Sequence, residues 1–254
     1  MTKCAALLFV CLLASVAQGT STPVLVELFT SEGCSSCPPA DALLKRLDRT
    51  QPLEGAQLIV LSEHVTYWNH DGWVDRYSSD QLTDRQADYV RHFGVDGSYT
   101  PEMVVDGESE FVPANAAKTQ QALEKARSEP KLTVRVPSVS IQSPDAMKAR
   151  VEVDALPESF KVRKAEVYIV IALRQAESQV AHGENGGKHL SHVNVVRKLT
   201  KIGNVEKGKS FADDVQLKLS AGDEPSNIRV IAFVQQPGAG KILGSTMVDA
   251  ISAH

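Results

Sequence analysis

Cysteine is nearly missing from this chain. Four occur among 254 residues, and two of them, Cys4 and Cys11, sit in the apolar stretch that opens the sequence. That leaves Cys34 and Cys37, in FTSEGCSSCPPADALL (29–44). A disulfide-dense small scaffold is thereby excluded, and so is a four-cysteine zinc site. An excess of positive charge is also lacking: 27 Lys and Arg face 31 Asp and Glu, a formal charge of −4. Phosphate backbones need a basic face, so a dedicated nucleic-acid binder is not expected. No phosphate loop, dinucleotide fingerprint or Ser-His-Asp order occurs, which leaves nucleotide enzymes and hydrolases without residues. With 43% hydrophobic and 23% charged residues, the composition is that of a globular chain rather than a disordered one.

Long apolar runs are missing except at the start. Cys4 to Ala14 is almost continuously apolar, follows Lys3, and leads to the small residues Ser15-Val16-Ala17. That is the layout of a secretory signal, and the run is too short to span a bilayer. Residues 1–19 are expected to be a cleaved signal peptide, giving an exported protein, periplasmic or secreted, with no membrane attachment afterwards. The competing reading is a short anchor; neither Cys4 nor Cys11 has the setting of a lipoprotein cysteine. Losing Lys3 takes the mature charge from −4 to −5. In an oxidising compartment Cys34 and Cys37, alone in the mature chain, can pair only with each other.

The texture along the chain changes near residue 130. Before it, Pro23–Thr30 reads as a buried strand, CSSC as a turn, Ala40–Leu47 as a helix and Gln57–Ser62 as a second strand. A polar-aromatic stretch follows, then a helix over Thr83–Phe93 with Thr83 as its cap. YTPEMVVDG (99–107) is a strand and an Asp-Gly turn, Glu110–Val112 the return strand, and Asn115–Arg127 a helix. After Pro130 come six or so β-branched alternating runs and no comparable helix. The expected fold is therefore an α/β thioredoxin-like domain (20–130) followed by an all-β sandwich-like domain (131–254).

CSSC admits three readings. A staple closing so short a loop removes little unfolded-state entropy, roughly 2 kcal/mol against about 4.7 for a 100-residue loop. A metal site, copper or zinc, needs further ligands, and His64, His70 and His92 offer no recognised spacing; no metal or other cofactor is expected. A redox pair fits best. Its place between a strand and a helix start favours a thiolate. Cys34 would be the exposed attacking sulfur and Cys37 the buried resolving one, with Ser35 and Ser36 as hydrogen-bond donors to Cys34. The order of elements resembles thioredoxin, which implies a cis Thr100–Pro101 bond beside the disulfide and a proton-moving role for Glu27 in the preceding strand. Thr100 would hold a substrate backbone. Tyr67, Trp68 and Trp73 would form an apolar rim, with Arg85 and Gln86 pointing to the same groove. The prolines after Cys37 imply either a helix start nearer Cys37 than Cys34 or an irregular first turn. HGENGGKHLSHVNVVRKL (182–199) reads as a glycine-turned hairpin without a chemical role.

Taken in order, LFTSEGCSSCPPAD, HVTYWNHDGW, YTPEMVVDG and GENGGKHLSHVNVVR resemble the secreted thioredoxin-like proteins of the domain-of-unknown-function-1223 family, over essentially the whole mature chain. Thr66 and Asn69 stand where that family's pattern carries acids. The resemblance implies no reaction. Three functions from different classes follow: a thiol–disulfide oxidoreductase acting on a protein or small thiol–disulfide substrate, a binding protein with an inert CSSC disulfide, or a copper or zinc carrier. An open Cys34 sulfur favours the first and a covered one the second.

Overall fold

The computed structural model describes residues 21–250; the expected signal segment, 1–19, lies outside them. Strand β1 (Thr22–Thr30) is apolar on both faces because both are covered. Its even residues Val24, Val26 and Leu28 pack with Leu44 and Leu47 of helix α1 (Pro38–Thr50) and Leu123 of α3 (Ala116–Ser128). Its odd residue Leu25 packs with Ile59 and Leu61 of β2 (Ala56–His64) and Leu82 of α2 (Asp80–Phe93). Pro38 and Pro39 fill the first turn of α1, where their missing N–H groups would have had no helical partner. Helix α2 begins earlier than expected: Ser79 caps it and Gly94 closes it in the left-handed region, while the Thr83 hydroxyl accepts the Thr66 N–H (2.9 Å). Asn115 caps α3 through the Lys118 N–H. Asp106 and Gly107, both with positive φ, are the central residues of the turn from β3 (Glu102–Val105) to β4 (Ser109–Phe111), closed by the Glu108 N–H donating to the Val105 carbonyl (3.0 Å).

The remaining strands are β5 (Val134–Ser143), β6 (Ala146–Val153), β7 (Lys164–Gln179), β8 (His189–Glu206), β9 (Phe211–Lys218), β10 (Ile228–Gln235) and β11 (Ile242–Asp249). Their pairing overturns the expected fold class. Instead of a thioredoxin-like α/β domain followed by a separate sandwich, the chain is mostly β. It is built on one mixed eight-stranded sheet of order β11-β10-β7-β8-β2-β1-β3-β4. A three-stranded sheet, β5-β6-β9, packs Val134, Met147, Val151 and Leu217 against β7 and β10. The joint is a parallel bridge between β2 and β8 at Ser62 and Val195. Alternation shows that a strand buries a face but not which strand lies beside it; four of the late runs extend the first sheet instead of stacking on one another. One face of the large sheet carries α1, α3 and the small sheet, and the other carries α2.

Candidate functional site

The CSSC turn lies where β1 ends and α1 begins. Cys34 and Cys37 form a disulfide, and each residue is 0% exposed. Cys37 is the N-cap of α1. Ser35 and Ser36 lie outside the buried sulfurs, exposed; Ser36 Oγ is 3.3 Å from Cys34 Sγ. By the exposure criterion the covered Cys34 argues for a closed disulfide, and its cover is specific. The β7–β8 loop brings Asn185, itself 0% exposed. Its amide donates to the carbonyls of Glu32 (2.8 Å) and Cys34 (2.9 Å). Glu184 accepts the Ser35 N–H (3.0 Å). The hairpin at 182–199 therefore carries the lid of the disulfide, a role its glycines concealed.

The aromatic stretch surrounds the same turn. A Cβ on Gly33 would lie 2.8 Å from the Trp68 carbonyl oxygen, so glycine there permits close approach. The Trp68 indole donates to Thr100 Oγ1 (2.7 Å), Trp73 to Glu32 (2.9 Å), and the Tyr67 hydroxyl to Gln86 (3.1 Å). The Thr100–Pro101 bond is cis. Burial pushes the Tyr67 hydroxyl up to about 12.

Glu27 is elsewhere. As an odd residue of β1 it points to the α2 side. There Arg85 pairs with it (2.5 Å) and the Tyr89 hydroxyl donates to it (2.6 Å). Gln235 also binds Arg85. Glu63 shares that pocket, and burial, then Glu27, pushes its carboxyl well up. The acids on the cysteine side are others. Thr30 and His64, even residues of β1 and β2, face α1. Thr30 Oγ1 donates to Asp41 (2.9 Å), and His64 Nδ1 meets Asp75 at 2.6 Å. Burial works against charge on His64, but Asp75, Asp41 and Glu32 outweigh it and raise its pKa. Burial likewise opposes ionisation of Asp75, yet His64 and the N–H groups of Glu32 and Tyr77 hold it at about 2. Burial and Asp75 raise Glu32. His192 lies with its ring 4.7 Å from that of His64. It reaches Asp41 at 3.7 Å and Glu32 at 4.0 Å, and neither ring nitrogen has a hydrogen-bond partner.

Of the three histidines weighed as ligands, only His64 joins this cluster. His70 stacks on Trp68 at the surface, and His92 packs on Phe93 at the end of α2. Among the described residues no three His, Cys, Asp or Glu side chains are placed to hold one metal ion. Sequence reasoning thus missed Glu32, Asp41, Asp75, Asn185 and His192, and offered His64 only as a candidate ligand. The visible traces of this site were a charge two residues before Cys34 and a histidine ending an apolar strand.

A buried disulfide at a strand–helix junction, a polar lid and an adjoining set of buried acids and imidazoles define a covered disulfide site on a mixed-sheet scaffold. The chain belongs to the family described as "Protein of unknown function (DUF1223)", whose pattern matches residues 25–235. Among solved structures it is similar to protein AGR_C_4864 from Agrobacterium tumefaciens, with 25% identity and a TM-score of 0.71. That match covers 92% of this chain and 97% of the other. It is also similar to HBP35 of Porphyromonas gingivalis, with 17% identity, a TM-score of 0.66, and 90% and 75% coverage. No curated protein matches it.

Proposed function

We propose that this protein is an exported thiol–disulfide oxidoreductase working through Cys34 and Cys37 on a protein or small thiol–disulfide substrate. One observation carries the reading: the disulfide adjoins buried ionisable groups whose hydrogen-bonding capacity is unfilled. Oε1 of Glu32, Oδ2 of Asp41 and both nitrogens of His192 lack partners. Such groups cost stability in a low-dielectric interior and are characteristic of working sites. A staple needs none of them. The rim of Trp68, Trp73 and Thr100 and the polar lid add a surface at which a substrate could exchange with the lid. Export is inferred from the leader-like first 19 residues.

A second reading has its own observation. Both cysteines are fully covered, as in a binding protein with a closed disulfide. Equilibration of the pair with glutathione buffers separates the two. A potential between about −120 and −270 mV is that of exchange proteins and is the expected result; a value below roughly −300 mV would mean a structural disulfide and the binding reading.

A further inference from the structure

Helix α1 and strand β8 leave between them a groove of about 440 Å³ that begins at Pro38, the residue after Cys37. Its walls carry three fixed cations, Lys45, Arg46 and Arg49, against one acid, Asp41. That local balance runs against the chain's formal charge of −4. Lys45 is engaged within the protein, donating to Ser191 Oγ (2.9 Å). Arg46 and Arg49 are exposed. Asp48, the acid between them in sequence, is taken by Arg229 (2.9 Å). The floor of the groove is unfilled as well. Asp41 (5% exposed) and His192 (3%) line it, and Asp41 Oδ2 and both ring nitrogens of His192 lack hydrogen-bond partners. Such groups call for an occupant that brings hydrogen-bond donors and acceptors with it, and a peptide backbone brings both. Distance also favours a chain over a small molecule. Arg46 and Arg49 lie roughly 13 and 18 Å beyond Cys37 along the helix at about 1.5 Å per residue, the reach of about four to six residues of extended chain. At the disulfide end a carboxylate is already held: Glu184 of the lid accepts the Ser35 N–H at 3.0 Å.

We propose that the α1–β8 groove binds an acidic stretch of a protein substrate, about four to six residues from the substrate cysteine that exchanges with the Cys34–Cys37 pair. This deepens the oxidoreductase reading and rests on it. Arg46 and Arg49 pair with the substrate's carboxylates, and its backbone occupies the groove over Asp41 and His192. The chain then runs past Pro38 to the CSSC turn, where it displaces Glu184. In the exchange the substrate thiolate attacks Cys34 Sγ and the Cys34–Cys37 bond breaks. Its electron pair leaves on Cys37 Sγ as a thiolate, and substrate and Cys34 are joined in a mixed disulfide. Arg46 and Arg49 determine which substrate is held and take no part in the bond exchange. Attraction between exposed charges of this kind is screened by salt and acts on selection and on-rate.

The first test is binding of fluorescein-labelled hexaglutamate, which has no thiol, to the full chain, read by fluorescence anisotropy. Saturable binding is expected at about 20 mM salt and weaker binding at about 200 mM. The Arg46→Ala/Arg49→Ala double variant should bind at least about fivefold more weakly. Both residues are exposed, so its circular dichroism should match the native spectrum. No saturable binding at low salt, or binding indifferent to salt, overturns the proposal on the native protein alone; equal affinity of the double variant also overturns it. Displacement by equimolar inorganic phosphate would make the groove a small-anion site and overturn the peptide assignment. The second test compares two thiol peptides at equal thiolate concentration, one with four glutamates and one with four lysines about five residues from the cysteine. The mixed disulfide with Cys34 is trapped by alkylating Cys37 and counted by mass. The acidic peptide should react several-fold faster, although the chain's net charge favours the basic one, and the preference should vanish in the double variant. An acidic peptide no faster than the basic one overturns the substrate assignment. Failure of the oxidoreductase reading is seen separately: neither peptide reacts and glutathione buffers leave the pair oxidised, while hexaglutamate binding still decides the groove.

Discussion

Asp75 and His64 show how strongly single groups in this site are tuned. Their 2.6 Å contact is fully buried. Asp75 titrates near 2 instead of 3.8, so its stabilisation is complete above about pH 4 and is lost as pH falls towards 2. His64 is raised above 6.5, so its share is complete below 6.5 and is lost as pH rises through the raised value. The pair therefore stabilises most between about pH 4 and 6.5. The Asp75 shift alone corresponds to about 2 kcal/mol, and breaking a buried pair costs about 3–5 kcal/mol. Asp75→Asn should lower Tm most within that window, with the difference from native shrinking towards pH 2. Thermal unfolding across pH 2 to 8 checks this; a difference constant from pH 2 to 6 would sink it. At this scale the sequence was half legible. Cys34 and Cys37 form a disulfide, and Trp68 touches Gly33 of the same turn while its indole donates to Thr100. Glu27 is not at that turn, because alternation along β1 separates two faces without saying which one α1 will cover. Asp41 and His192 carried no signature at all, since neighbours from α1 and β8 meet only through tertiary structure.

The lid is a property of elements rather than of residues. Strands β7 and β8 hold 16 and 18 residues, roughly 50–60 Å of chain at about 3.3 Å per residue. They therefore carry their connecting loop past the small sheet to the CSSC turn. Glycines at 183, 186 and 187 were readable as a turn, but the landing point of that turn depends on strand length and register. Asn185 fixes it with two hydrogen bonds to the carbonyls of Glu32 and Cys34, and Gly183 supplies the positive φ (76°) of the turn. Asn185→Ala takes this donor from both: the Glu32 carbonyl loses the amide and the Cys34 carbonyl keeps the Cys37 N–H (3.2 Å), a loss of about 1–3 kcal/mol. If the loop gates access, dithiothreitol should reduce the disulfide of this variant several-fold faster than that of the native protein at pH 7. An unchanged rate together with a lowered Tm would make the loop a brace and not a gate.

For the molecule as a whole, the decisive feature is a sheet that ignores the change of texture near residue 130. The helices and strands before that point were legible from periodicity, and most later strands from alternation. Their union was not, because it depends on one edge of β2 accepting β8. The two segments are tied in several places. Ile242 donates to the Asp106 carbonyl (2.8 Å). Gln81 bonds the backbone of Leu199. Gln235 of β10 completes the buried Arg85–Glu27–Tyr89 group. Removing residues 131–254 would leave the charged Arg85 short of a partner and strip Ile59 and Leu61 of the cover given by Val170, Val196 and Ile231. Burying those groups together makes the two segments one cooperative unit. The full chain should therefore unfold in a single step, with the calorimetric and van't Hoff enthalpies equal. Tryptophan fluorescence, which reports Trp68 and Trp73 before residue 130, should coincide with the loss of amide hydrogen-exchange protection in the strands after it. The isolated segment 21–130 should show no cooperative urea transition. Two resolved transitions in the full chain, or a sigmoidal transition in the fragment, would instead establish two independently folding domains joined only at the β2–β8 edge.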